Sequence, residues 1–239
     1  MTRAVFAHGF TQTGRSWDLI VEGLGGRLED LDPLAPDLPG HGDAAAVEAD
    51  LWSSADVLVE AGRRAAYIGY SMGGRTALHA ALAHPEQVEF LVLIGATAGI
   101  EDERGRAERR EADEALADRI QEIGVAAFLD QWLTNPLFAG LSEDAAGRPD
   151  RLRNTPAGLA SSLRLAGTGT QTPLWDRLGE VRCPTLVLVG EHDEKFRALG
   201  ERMVASMPEA RLDVIAASGH SVHLEQPEAT IEALAGFLA

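Results

Sequence analysis

The feature of this sequence that most limits its fold is a serine placed between two glycines. The segment Gly-Tyr-Ser-Met-Gly at 69–73 follows a short apolar run and opens a helical pattern that extends to about Ala83. A strand that passes directly into a helix needs a sharp turn, which glycine permits because it carries no side chain. Ser71 would then stand above the sheet at a helix N-terminus, where free N–H groups favour developing negative charge. An ordinary glycine-rich turn is the alternative interpretation.

Short apolar runs alternate with longer helical patterns along most of the chain. The predicted strands are 4–7, 31–35, 65–70, 88–94, 185–189 and 212–215. The predicted helices outside the middle of the chain are 16–28, 47–63, 72–83 and 228–238. The wholly apolar run from Val88 to Ile94 is typical of a strand buried on both faces. This alternation predicts an α/β fold with a mostly parallel sheet flanked by helices.

The alternation stops between residues 98 and 178, where strand-like runs disappear and helical periodicity dominates. We interpret residues 98–178 as a helical cap inserted into one α/β core, formed by residues 1–97 and 179–239. Within the cap, one helical face is predicted to carry Ala112, Leu116, Ile120 and Ile123. Arg109 falls on the same face. A charged side chain there either reaches the rim or points into the space that the cap covers.

Composition agrees with a folded domain that carries an insertion. The chain has 239 residues, of which 45% are hydrophobic and 24% charged, so disordered and collagen-like structures are excluded. The sequence has no apolar run of about 18 residues, which predicts no membrane span, and its N-terminus lacks the apolar core of a signal peptide. A single cysteine, Cys183, excludes an intrachain disulfide and a multi-cysteine metal site. We therefore expect a cytoplasmic protein.

The net charge of −16 argues against nucleic acid as a partner, because phosphate binding needs a basic surface. An acidic protein also repels anionic substrates at long range, so a site for an anion must concentrate basic side chains locally. Arg75 is one candidate, because it stands four residues after Ser71 on the same helical face. A salt bridge or a solvated surface position explains Arg75 equally well. Arg109 and Arg153, both in the cap, are weaker candidates on position alone.

A serine that acts as nucleophile or base needs a histidine, which in turn needs a carboxylate to orient it. After such a turn the expected chain order is serine, carboxylate, histidine. Asp193 follows the predicted strand 185–189, and His220 follows the predicted strand 212–215. Both lie at the carboxyl ends of strands, where open α/β sheets build their sites. Asp213, inside a strand, is a poorer candidate.

His223 is the competitor of His220, which we prefer because it lies nearer the strand end and follows a glycine. A metal site at His220 and His223 is a weaker alternative, because the spacing is loose and the H-E-x-x-H signature is absent. His-Gly-Phe at 8–10 follows the first predicted strand. There the backbone N–H of Phe10, together with that of Met72, is predicted to form an oxyanion hole.

These features together resemble the α/β-hydrolase superfamily over the whole core. A finer resemblance is to the 2-succinyl-6-hydroxy-2,4-cyclohexadiene-1-carboxylate synthase family of menaquinone biosynthesis, and several of its segments lie in the cap, which generic hydrolases do not share. The matching segments are GYSMGGR (69–75), RAERREAD (106–113), FLDQW (128–132), PLF (136–138), LRN (152–154), GLASSLR (158–164), GTGTQ (167–171), GEHDEKF (190–196) and GHSVHLEQP (219–227).

The resemblance implies a lyase without a cofactor. The family's substrate is 2-succinyl-5-enolpyruvyl-6-hydroxy-3-cyclohexene-1-carboxylate, a small tricarboxylate that loses pyruvate by elimination. Ser71, activated by His220 and Asp193, would act as the base. By the same resemblance, the substrate site would be lined by Tyr70, Arg75, Arg109, Trp132 and Arg153.

Two other functions use the same residues. One alternative is a serine hydrolase of carboxylic esters, lactones or carbon–carbon bonds, which would not need three arginines. The other is a catalytically silent scaffold that serves as a binding protein, which would not need Ser71, Asp193 and His220 together. The triad alone does not decide between elimination and hydrolysis.

Overall fold

The computed structural model describes residues 2–239 and shows a single six-stranded sheet, parallel throughout. The strands are β1 (Thr2–Ala7), β2 (Leu31–Leu34), β3 (Ala65–Tyr70), β4 (Val88–Ile94), β5 (Thr185–Gly190) and β6 (Ala210–Ile215). Their order across the sheet is β2-β1-β3-β4-β5-β6. All six predicted strands are confirmed, and the α/β class with them. Because the strands run in parallel, the segments that follow β1, β3, β5 and β6 meet at one edge of the sheet.

Nine α-helices are present in the described chain. They are α1 (Asp18–Gly25), α2 (Leu51–Gly62), α3 (Met72–Ala83), α4 (Glu103–Trp132), α5 (Arg148–Arg151), α6 (Pro156–Ala166), α7 (Glu194–Ser206), α8 (Val222–Glu225) and α9 (Pro227–Leu238). Helix α2 begins four residues later than predicted, because the Asp50 side chain accepts a hydrogen bond from the Ser53 N–H at 2.7 Å and caps it there. Helix α1 is shorter than predicted, because a 3-10 turn, Gly14–Trp17, precedes it.

The sheet is covered on both faces, as a parallel sheet requires. One face packs against α2, α3 and α7, through core residues such as Leu58, Leu78 and Met203. The other face packs against α1 and α9, through residues such as Leu24 and Leu234. Alternate residues along the central strands enter the two apolar layers, so β3 and β5 are buried throughout, whereas the edge strands β2 and β6 are partly exposed.

Between β4 and β5 the described chain forms helices and turns but no strand, as predicted for the cap. Helices α4 and α6 pack together around a third apolar cluster, to which Phe10 from the core also contributes. The boundaries of the cap at residues 98 and 178 stay a prediction, since the structure gives elements rather than domain limits.

The predicted apolar face of the first cap helix is wrong at Ala112, which is exposed, whereas Ile120 is buried. Asp113 is buried in its place, because its carboxylate accepts hydrogen bonds from Arg109 and from the Gly169 N–H. Gly124, with a φ of 77°, then interrupts α4 and shifts the helical phase of everything that follows. A pair of polar contacts and a kink therefore override the periodicity.

None of the helices formed by residues 2–239 is long and apolar enough to cross a lipid bilayer.

Candidate active site

Ser71 stands at the turn between β3 and α3, in a backbone conformation that side-chain-bearing residues rarely adopt. Its φ is 51° and its ψ is −106°. The Ser71 N–H donates to the Ile94 carbonyl at 2.8 Å, which ties the turn to the neighbouring strand. A side chain at Gly69 would overlap the backbone of residue 73, and one at Gly73 would overlap the Ala7 carbonyl. The two glycines are therefore required by close backbone packing, and this strained turn is of the kind found at functional sites.

Asp193 and His220 are joined as the sequence predicts. The His220 Nδ1–H donates to the Asp193 Oδ2 at 2.7 Å, and both side chains are buried. Asp193 is itself held in place, because its Oδ1 accepts from the Phe196 N–H at 3.3 Å at the start of α7. The Phe196 ring packs against the His220 ring with centroids 4.4 Å apart. Because Nδ1 of His220 is bound to Asp193, Nε2 is the ring nitrogen that remains available for a proton transfer.

The competing candidates for these positions lie elsewhere. His223 is buried between the rings of Trp17 and Tyr70, and burial lowers its pKa to about 3. Asp213 is partly exposed on β6 and lies 3.6 Å from the Arg211 guanidinium. In residues 2–239, no group of three or more His, Cys, Asp or Glu side chains could hold a metal ion.

Ser71 and His220 line the same cavity, at the carboxyl edge of the sheet. The Ser71 hydroxyl makes no hydrogen bond to any group of residues 2–239. In ligand-free enzymes such catalytic hydrogen bonds are often long and tighten only when substrate binds. The two side chains therefore share one reaction space, with the Asp193–His220 pair already formed.

The loop after β1 brings Phe10 to this cavity. The Leu38 N–H donates to the His8 Nε2 at 2.9 Å, so the His8 Nδ1 carries the proton and donates to the Gly9 carbonyl. Burial lowers the pKa of His8 to about 4, which keeps the ring neutral in this arrangement. Neither the Phe10 N–H nor the Met72 N–H donates a hydrogen bond within the described chain. Both donors are thus available to an acceptor in the cavity.

The cavity has a volume of about 290 Å³ and is lined mainly by aromatic, apolar and cationic side chains. Its cations are Arg75, Arg109, Arg151 and Lys195, and no Asp or Glu of residues 2–239 lines it. In a chain with a net charge of −16, this local excess of positive charge is the opposite of the whole-molecule balance. Such a cavity favours an anionic ligand.

Arg75 is one of the two buried cations of the cavity, together with Arg151. It is buried, and its Nη1 donates to the Ala166 carbonyl at 2.8 Å. Burial, reinforced by the charge of the nearby Arg109, lowers the pKa of Arg75 to about 10, which leaves it protonated at neutral pH. Within residues 2–239 no carboxylate forms an ion pair with it. A buried guanidinium in this state is poised to bind a carboxylate from a ligand.

Arg109, Tyr70 and Trp132 also line the cavity, as the sequence predicts. The Arg109 side chain is 42% exposed and donates from Nε to the buried Asp113 at 2.7 Å, while its terminal nitrogens make no hydrogen bond within residues 2–239. The Tyr70 hydroxyl is hydrogen-bonded to the Ser221 hydroxyl at 2.7 Å. The Trp132 indole N–H is buried without a partner in the described chain, so it can donate to a ligand.

Arg153 does not line this cavity, contrary to the prediction. Its guanidinium lies 3.1 Å from Asp43, 3.4 Å from Asp150 and 3.7 Å from Asp37, at a separate surface cleft. Because three carboxylates already pair with this guanidinium, it is not available to bind a substrate carboxylate.

Arg151, two residues earlier, occupies the wall of the cavity instead. It is buried, and its Nε donates to the Ala146 carbonyl at 2.7 Å. Sequence reasoning missed it because the two arginines lie beside a short helix and a turn, where no periodicity distinguishes the inward from the outward side chain. Lys195 was also missed, although its place two residues after Asp193 puts it at the rim of the site.

Comparison with known proteins extends over nearly the whole chain. The model of the alpha/beta hydrolase family matches residues 4–233. A Bacillus subtilis (strain 168) protein provisionally named 2-succinyl-6-hydroxy-2,4-cyclohexadiene-1-carboxylate synthase is 38% identical over 233 residues, which cover 93% of this chain and 85% of the relative. The synthase of that name from Salmonella paratyphi A is 32% identical over 243 residues, or 98% of this chain and 92% of the relative.

The structure of MenH from S. aureus superimposes with a TM-score of 0.91 at 31% identity, over 99% of this chain and 93% of that one. The similarity therefore includes the cap as well as the sheet.

Proposed function

Since the chain belongs to the alpha/beta hydrolase family and, within it, to the 2-succinyl-6-hydroxy-2,4-cyclohexadiene-1-carboxylate synthases, we propose that it is a lyase of menaquinone biosynthesis. Its substrate is 2-succinyl-5-enolpyruvyl-6-hydroxy-3-cyclohexene-1-carboxylate, from which it eliminates pyruvate. The observation that carries this proposal is the cavity with four cations and no lining carboxylate among residues 2–239. That environment fits a substrate with three carboxylates.

Ser71 serves as the base in this proposal. Its hydroxyl passes a proton to Nε2 of His220 and takes up the proton on the ring carbon next to the succinyl ketone. The electron pair left behind forms an enolate. Asp193, bonded to Nδ1 of His220 at 2.7 Å, holds the ring in the required tautomer and stabilises its positive charge. No acyl-enzyme forms and no water is consumed.

The enolate oxygen lies between the N–H groups of Phe10 and Met72, which have no other acceptor in the described chain. Donors that are fixed in place before the reaction stabilise charge as it develops, without reorganisation. The enolate then collapses, the ring C–O bond breaks, and its electron pair leaves on the enolpyruvyl oxygen. The ring double bond shifts in the same step, which gives the conjugated diene. The group released is the enolate of pyruvate, and its protonation at carbon by the proton held on His220 gives pyruvate, so atoms and charge balance.

The substrate carboxylates bind to Arg75, Arg109 and Arg151 in this proposal, with Arg151 in the role expected of Arg153. The planar fork of arginine binds a carboxylate through two hydrogen bonds. Tyr70 and Trp132 supply the wall against the ring. Because a tricarboxylate does not cross a bilayer unaided, we expect the enzyme to act in the cytoplasm, where such a substrate would be made.

A hydrolase of neutral esters or carbon–carbon bonds would use the same triad, but a cavity lined by four cations gives it no advantage. The two functions are separated by a coupled assay. The substrate is generated in situ from isochorismate and 2-oxoglutarate by the upstream synthase, and pyruvate and the diene absorbance are followed.

We expect fast release that depends on Ser71, with little turnover of a nitrophenyl ester. Ester turnover without acceleration of pyruvate release over the spontaneous rate would assign the protein to the hydrolases.

A further inference from the structure

Thr11 is the most constrained residue of the loop that carries Phe10. The two are the central residues of a turn that the Gln12 N–H closes on the Gly9 carbonyl at 3.1 Å. Thr11 has a φ of 68°, in the left-handed region. A positive φ at the third turn position is usual for glycine or asparagine, and it is strained for a β-branched residue. Something outside the turn must therefore hold this conformation.

Every polar group of Thr11 is bound by a side chain from another segment. Its hydroxyl accepts a hydrogen bond from Nη1 of Arg151. Its carbonyl accepts from Nδ2 of Asn154 at 2.7 Å. Its N–H donates to Nε2 of His41 at 3.4 Å. Arg151 and Asn154 belong to the cap, so two hydrogen bonds from the cap fix the conformation of the turn.

Arg151 has a second surface, which faces the cavity. The residue is buried and lines the same cavity as Ser71 and His220. Among residues 2–239 its side-chain partners are Thr11 and the Ala146 carbonyl, and no carboxylate neutralises it. A ligand carboxylate that binds Arg151 would therefore pull on the same guanidinium that holds Thr11.

A glycine at position 11 would adopt the positive φ without help. With threonine there, the shape of the turn depends on the bonds from the cap. If those bonds are lost, the strain favours a negative φ at Thr11 and the turn changes shape. Phe10 lies in the same turn, so it is displaced together with its N–H. The direction of the Phe10 N–H is thus linked to the position of Arg151.

From this geometry we infer that Thr11 is a positioning residue, which transmits the state of Arg151 to the Phe10 N–H. The inference rests on the proposed function, in which Phe10 holds the enolate oxygen and Arg151 holds a substrate carboxylate. Its consequence is that the oxyanion donor is correctly aimed only while the cap is seated on the loop.

The test compares Thr11→Val, which keeps the shape but removes the hydroxyl, with Thr11→Ser, which keeps the hydroxyl. Thr185→Val is the matched control, because Thr185 is also buried and its hydroxyl donates to the Cys183 carbonyl at the amino end of β5, at the opposite edge of the sheet from the cavity. In steady-state kinetics we expect Thr11→Val to lower kcat about tenfold or more, with KM changed by less than about threefold. Thr11→Ser and Thr185→Val should keep kcat within about threefold of the wild type.

A double-mutant cycle completes the test. Arg151→Ala should lower kcat in the wild-type background, and much less in the Thr11→Val background, because both changes remove the same hydrogen bond. Additive effects on kcat would overturn the inference, and so would equal losses in Thr11→Val and Thr11→Ser.

The same variants are assayed on a nitrophenyl ester, whose oxyanion would occupy the same hole. If the wild type hydrolyses the ester but releases no pyruvate, the proposed function fails, while the Val/Ser contrast on the ester still decides the role of Thr11. A wild type inactive on both would overturn both.

Discussion

The site has two halves, and they are built by different means. The core half comprises residues 8–12, 69–75, 193 and 220, and backbone geometry sets it: a strained turn at Ser71, glycines in close backbone contact, and one hydrogen bond between Asp193 and His220. The cap half comprises Arg109, Trp132 and Arg151, and side-chain pairing sets it. The comparison teaches that the sheet fixes the positions of the triad residues, whereas side-chain contacts within the cap fix which of its arginines line the cavity.

The largest expected effect lies in the core half. Replacement of Ser71 by alanine removes the proposed base while the turn and the cavity remain. We expect kcat for pyruvate release to fall by about 10³-fold or more. Ser54→Ala, a buried serine on α2, is the control and should leave kcat unchanged. A Ser71→Ala enzyme with more than about a tenth of wild-type kcat would contradict the role of the triad.

The next effect concerns the stability of the same half. A methyl group at Gly73 would overlap the backbone carbonyl of Ala7, which cannot move without distorting β1. We expect Gly73→Ala to reduce the free energy of unfolding by about 3 kcal/mol, measured in urea. Gly236→Ala is the matched control, because a methyl group there meets no atom within 4 Å. Gly236 lies in the last turn of α9, where that change should stabilise the protein by at most about 1 kcal/mol.

The cap half is tested by two arginines that lie two residues apart. Arg151→Ala removes a cavity cation and should lower kcat/KM about 100-fold, with much of the loss in KM. Arg153→Ala removes a guanidinium that three carboxylates already neutralise, and kcat/KM should stay within about threefold of the wild type. Steady-state kinetics on variants shown to be folded by circular dichroism would check this. A large loss of kcat/KM in Arg153→Ala with little loss in Arg151→Ala would instead assign the substrate carboxylate to Arg153.

The smallest effect is a pH dependence that comes mainly from the core. Burial lowers the pKa of His8 to about 4 and those of His41 and His223 to about 3. Between these values and about 6.5 the unfolded chain binds protons that the folded chain excludes, so stability falls as the pH decreases. Each such histidine contributes a slope that reaches about 1.4 kcal/mol per pH unit once the unfolded histidine is fully protonated.

His223→Phe tests this slope without the loss of a hydrogen bond, because neither ring nitrogen of His223 has a partner in the described chain. Between about pH 7 and about pH 5, the free energy of unfolding in urea should fall by about 2 kcal/mol less in the variant than in the wild type. An unchanged slope would mean that His223 does not titrate on unfolding in this range.

The difference between the two halves also explains what could be predicted from the sequence. Ser71, Asp193 and His220 follow strand ends, and a parallel sheet brings such positions together whatever the details of packing. The inward arginine of the cap could not be predicted in the same way, because a buried Asp113, the kink at Gly124 and a short turn before Arg151 decide which side chains face the cavity. These are tertiary features without a periodic signal.

The most direct test of the central claim is the mass of the ring product from the enolpyruvyl substrate, measured by mass spectrometry within a single turnover. Elimination gives a conjugated diene, whereas hydrolysis of the enol ether gives a hydroxylated ring that is heavier by one water molecule. We predict the diene, formed with pyruvate in equal amounts and lost in Ser71→Ala. The hydroxylated product, or a covalent adduct on Ser71 that precedes pyruvate release, would contradict the account.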